Sequence, residues 1–142
     1  MSAKSSPETA RPSDLTYASF QQAVSECLVR HRSVLDVISK FQETGARVNR
    51  AVAKAVTSCG CVQVEASRQN IPANISYWEM KEHMATHVKG DMCEHCREVL
   101  EQEIGRNLFY LAALCDIFGL QLDQLVEDER KRITTLGVFN LT

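Results

Sequence analysis

Apolar residues recur along most of this chain at spacings of three and four, the period of a helix that buries one face. From Tyr17 to about Glu43 the positions Phe20, Val24, Cys27, Leu28, Leu35, Ile38 and Phe41 follow that rhythm. Gly45 predicts a break, and Arg47 to Ser58 reads as a second helix with Val48, Ala51, Ala55 and Val56 inward. It stops at Cys59-Gly60-Cys61, where glycine suits a reversal of the backbone. The pattern is clearest from Cys96 to Phe118. There Leu100, Ile104, Leu108, Leu111, Cys115 and Phe118 form one stripe with Leu114 beside it. Gly119 is placed to end this helix. Leu122, Leu125 and Val126 open a last one that runs into the basic Arg130-Lys131-Arg132, and Gly137 then releases a short apolar tail. Between the helical stretches, residues 62–92 carry weaker signals. Val62-Gln63-Val64 alternates like a short strand, Pro72 and Asn74 mark a loop, and Ser76 with Glu79 forms the capping box of a short helix within Ile75–His87.

The sum is an all-α protein. Connections as short as Gly119–Gln121 imply antiparallel neighbours, hence a bundle. At 142 residues the chain is expected to form one domain over 15–142, preceded by a polar, proline-bearing tail at 1–14 that reads as disordered. That tail has no apolar h-region and no stretch approaches a membrane span, so a cytoplasmic setting and no membrane partner are expected. Net charge is −2, which makes nucleic acid an unlikely partner. Residues 1–78 are the more basic part and 79–142 the more acidic, and acidic helices suit divalent cations.

Six cysteines change this picture. In a reducing compartment clustered thiols favour metal over disulfide. Cys93-Glu94-His95-Cys96 is a C-x-x-C pair at the start of the long helix, and Cys59-Gly60-Cys61 is a second pair upstream. Together Cys59, Cys61, Cys93 and Cys96 form a candidate closed site for a structural Zn²⁺, since four tetrahedral thiolates complete its coordination. His87 and His95 are substitute ligands, and His83–His87 have the i,i+4 spacing of two imidazoles on one helix face. A catalytic zinc would need an open position and a base such as Glu94 or Glu98. The competing readings are cysteines packed as small hydrophobes and a thiol-based redox or metal sensor. Cys27 and Cys115 fall on apolar stripes and are expected in the core.

The long helix also carries carboxylates. With the inner stripe at Leu100, Ile104 and Leu108, Glu94, Glu98 and Glu101 line one shoulder, and Glu103 with Asn107 the other. Glu98 and Glu101 could share a hard cation such as Mg²⁺ or could simply be a solvated first turn favoured by the helix dipole.

The run Glu103-Ile104-Gly105-Arg106-Asn107-Leu108-Phe109-Tyr110-Leu111-Ala112-Ala113-Leu114, followed by Phe118-Gly119-Leu120-Gln121-Leu122-Asp123-Gln124-Leu125, resembles the MazG-like all-α nucleoside triphosphate pyrophosphohydrolases. Within that superfamily it is most like a group of small bacterial proteins with this cysteine framework and a similar Leu136–Leu141 ending. The resemblance covers about the last third of the chain. It implies a helical bundle of four to five helices completed by homodimerisation, and a site where Mg²⁺ on carboxylates positions a nucleotide for release of pyrophosphate. Glu98, Glu101 and Glu103 are the candidate catalytic carboxylates on that reading. The chain departs from the family pattern of Glu-x-x-Glu on one helix and Glu-x-x-Asp on the next. The partner of Glu103 is Arg106, which reads better as an intrahelical ion pair, and 45–58 contains no acidic residue. The expectation is therefore a non-catalytic nucleotide- or protein-binding module. An active pyrophosphohydrolase with a rebuilt Mg²⁺ site is the alternative.

Overall fold

The computed structural model describes residues 15–29 and 32–136. The order of elements is α1 (Tyr17–Cys27), α2 (Val34–Lys54), a π-helical turn (Ala55–Cys59), β1 (Gln63–Val64), α3 (Tyr77–His83), β2 (Val88–Lys89), α4 (Glu94–Ile117) and α5 (Leu122–Leu136). Helix dominates, as the periodicity predicts. The tail expected at 1–14 and the apolar ending after Gly137 lie outside the described residues.

Two compact units are defined by their internal contacts. One joins residues up to Glu43 with those from Arg106 onward, and the other is Thr44–Gly105.

In the first unit α1 starts at Thr16. Thr16 Oγ1 accepts the Ser19 N–H at 3.1 Å, and Ser19 Oγ returns the bond to the Thr16 N–H at 2.9 Å. The core is Val24, Leu28, Val37, Ala112, Ala113, Cys115 and Leu122, with Phe20, Phe109, Leu114, Ile117 and Val126 packed on it. Ala112 and Ala113, both fully buried, contribute small side chains to this core. Gly119, with φ +65°, ends α4. The Leu120 N–H reaches back to Cys115 O at 2.8 Å, as a glycine-terminated helix requires. Buried Gln21 then braces the turn into α5. Its Nε2 donates to Leu120 O at 2.7 Å and its Oε1 accepts the Leu122 N–H at 2.8 Å.

Four expectations need correction. The break foreseen at Gly45 does not occur, because α2 runs through it. A single helical glycine costs only about 1 kcal/mol, which the rest of a long helix absorbs. Helical structure instead ends with α1 at Cys27 and resumes with α2 at Val34. Cys27 is exposed, not in the core. The inward face of α4 is also rotated from the expected stripe. Cys115 of that stripe is buried as expected, but Ile104, Leu108 and Phe118 are exposed, while Ala112 and Ala113 are buried and Glu103 and Asn107 half-buried. Asn107 Nδ2 donates to Phe41 O at 3.1 Å. From Leu108 to Phe118 every residue except Asp116 is apolar or aromatic, so the period does not select one face there. Finally, the basic run of α5 does not end the helix. Arg130 and Arg132 pair with Glu127 and Glu129 one turn earlier, and the helix continues to Leu136.

The second unit buries little apolar surface. Its buried hydrophobic residues among those described are Ala51, Ala55 and Val62. β1 and β2 pair antiparallel, Gln63 with Lys89 and Val64 with Val88, and the sequence pattern foresaw only the first of these strands. α3 begins as expected, with Glu79 Oε2 accepting from the Ser76 N–H at 2.8 Å and from its hydroxyl at 2.9 Å.

Candidate metal centre

The end of α2 delivers the first thiol pair. The last turn is wound as a π-helix, and the Gly60 N–H closes it on Ala55 O at 2.9 Å. Gly60 has φ +78°, which an L side chain seldom adopts, so the chain reverses there and Cys59 and Cys61 flank the bend. β1 follows at once. The return through β2 ends at Gly90, φ +82°, where a Cβ would stand 2.9 Å from Cys61 O. Glycine is thus required twice over, for the backbone angle and for the close approach. Three residues later Cys93 precedes α4, and Cys96 lies in its first turn. The two-residue ladder is what folds the chain back, so that residues 93–96 arrive beside 59–61.

All four sulfurs, of Cys59, Cys61, Cys93 and Cys96, lie within 4.8 Å of one another. Cys59 Sγ and Cys93 Sγ are 3.8 Å apart. That is far longer than a disulfide bond of about 2.05 Å. It matches the edge of a tetrahedron of sulfurs about 2.3 Å from a central ion, which is about 3.8 Å. The Cys96 N–H donates to Cys93 Sγ at 3.4 Å. This bond, followed by those from the neighbouring thiols, pulls the Cys93 pKa down to about 7. Cys96, hydrogen-bonded to Cys93 and partly desolvated, is pushed up to about 12. At Cys59 the Cys61 backbone N–H and the Cys96 thiol favour the thiolate, but the thiols of Cys93 and Cys61, with some desolvation, outweigh them and raise the pKa. Four sulfurs therefore share fewer negative charges than they could carry. A cation in their midst would replace the shared protons. The four cysteines can hold a metal ion.

Neither substitute imidazole is in that group. His87 adopts a left-handed conformation, φ 61°, beyond the end of α3, so it does not share a helix face with His83. Its Nδ1 accepts the Ser67 N–H at 3.3 Å and its Nε2 lies 2.8 Å from the Gln69 amide nitrogen. Gln69 also bridges to both backbone groups of Ala85, through bonds of 2.9 Å each. His87 thus fastens the loop behind the hairpin. His95 is exposed on the first turn of α4. Glu94, Glu98 and Glu101 are exposed, and among the described residues the carboxylates form no cluster of metal-ligating oxygens. Glu103 is half-buried and lines a cavity. From the sequence, Gly90 is only part of the turn into Cys93, and Gln69 is not singled out; their roles depend on contacts with residues 16 to 29 positions away.

No family model, no curated relative and no solved structure matches the chain.

Proposed function

We propose that this protein is a non-catalytic helical binding module, distantly MazG-like, in which Cys59, Cys61, Cys93 and Cys96 hold one structural Zn²⁺. The observation that carries the reading is the set of four sulfurs within 4.8 Å, with one pair at the 3.8 Å tetrahedral edge. Four protein ligands leave no open position for water or substrate, so the ion staples and does not catalyse. All-sulfur tetrahedral sites select zinc or iron over hard cations. The second unit also needs such a staple. Two alanines and a valine are a small buried core for 62 residues of chain, and a bound metal supplies stability that such a core lacks. Such a site belongs in a reducing compartment, where thiols remain available. The non-catalytic part rests on the carboxylates, since Glu98 and Glu101 are exposed and Arg106 stands where a second ligand would be needed.

The test is elemental analysis of protein purified without chelator, combined with alkylation. The expected result is one zinc per chain, with exposed Cys27 alkylated in the native state and the four clustered thiols protected until a chelator is added. Iron with a visible charge-transfer band would keep the staple and change its metal. A metal-free protein whose four thiols alkylate freely would overturn the proposal.

A further inference from the structure

A second constellation lies in the Thr44–Gly105 unit and does not involve the sulfurs. Arg47, Arg50 and Lys54 are spaced i, i+3 and i+7 along α2, which puts three cations on one helix face. They line a cavity of about 310 Å³ together with Ala51, Val99 and Glu103. Ala51 is buried, and its small side chain leaves the space open between the longer ones. Arg50 and Lys54 make no ion pair among the described residues. Arg50 and Lys54, like charges at i,i+4, repel along the helix, and an anion between them would relieve that repulsion. The lining carries three positive charges and one negative. A dication such as Mg²⁺ would be repelled there, and a phosphate dianion attracted.

We infer that this cavity binds a small phosphomonoester that also carries a hydroxyl group, without the help of a metal. The Arg50 guanidinium supplies a planar donor pair that matches two phosphate oxygens, and Lys54 adds a point charge. Glu103 decides the class of ligand. A carboxylate facing the same space opposes a bare anion but accepts a hydrogen bond from a neighbouring hydroxyl. A sugar phosphate satisfies both ends, and the volume is at the small end of ligand cavities. Ligand capture here is independent of the zinc staple, so the two readings can fail separately.

The experiment is calorimetric titration of the metal-loaded full-length protein at low salt with ribose 5-phosphate, inorganic phosphate, ribose and a short single-stranded oligonucleotide. Zinc content is measured on every variant, which separates loss of the site from loss of the fold. The expected result is saturable binding of ribose 5-phosphate, no binding of ribose, and weakening by at least about tenfold in Arg50→Gln/Lys54→Gln, the loss of two charge-assisted contacts. Glu103→Gln is expected to tighten inorganic phosphate and to narrow the preference for the sugar phosphate over it. The inference is overturned by absence of saturation, by affinity unchanged in the double variant, by a preference unchanged in Glu103→Gln, or by the oligonucleotide binding where ribose 5-phosphate does not.

Discussion

Gly90 shows what one residue contributes to the metal centre. Its φ of +82° puts it in the left-handed region, and a Cβ there would lie 2.9 Å from the Cys61 carbonyl oxygen. Gly60 and Gly119 share the positive φ but have nothing within 4 Å of the missing Cβ. Gly119→Ala should therefore cost only the backbone strain, about 1 kcal/mol. Gly90→Ala adds a steric displacement of the Cys61 knuckle and should also weaken metal binding by at least about tenfold, in the range seen when a ligand's supporting group is lost. Competition with a chromophoric chelator measures this, and equal zinc affinity in the two variants would refute it. The four ligands are readable in the sequence because cysteine pairs at short spacing have few other uses in a reduced protein. The Gly90 contact is not readable, since the carbonyl it approaches is 29 residues away.

At the scale of elements, α3 is the piece most exposed to pH. It has seven residues and none is buried. Its start depends on Glu79, whose carboxylate is held below its usual pKa chiefly by the hydrogen bond from the Ser76 N–H, then by the Ser76 hydroxyl. A folded pKa below the unfolded value means the stabilisation is fully present above the usual carboxylate range and is lost as pH falls through the folded pKa. The helical carbon shifts of Tyr77–His83 should therefore collapse in acid before those of α4. In Glu79→Ala they should be weak already at pH 7, with little further acid dependence. This capping box was legible in the sequence because its partners are three residues apart. The boundary between α1 and α2 and the buried face of α4 were not. The buried face of α4 depends on which side of the nearly all-apolar run Leu108–Phe118 meets a neighbour, and period alone does not settle that.

For the molecule as a whole, the two units draw their stability from different sources. The first holds a contiguous core of Val24, Leu28, Val37, Ala112, Ala113, Cys115 and Leu122. The second has a two-residue ladder, a cysteine cluster and three small buried apolar residues. If the four thiols hold the proposed ion, chelating it should speed hydrogen exchange at residues 63–64 and 88–89 by orders of magnitude, while residues 112–115 keep their protection. Uniform loss in both regions would show that the metal supports the whole chain. The sequence alone determined the helical class, the helix ends at Gly60 and Gly119, the Ser76–Glu79 cap and the identity of the four thiols. Each of these is written in spacings of a few residues, where the covalent chain itself sets the geometry. Only the tertiary structure decided that the thiols converge without His87 or His95, that Cys27 faces solvent, and that Arg47, Arg50 and Lys54 share a cavity with Glu103. The thiol pairs that meet, and the α2 and α4 residues that share the cavity, lie more than thirty positions apart in the chain, and packing, not local chain geometry, brings them together.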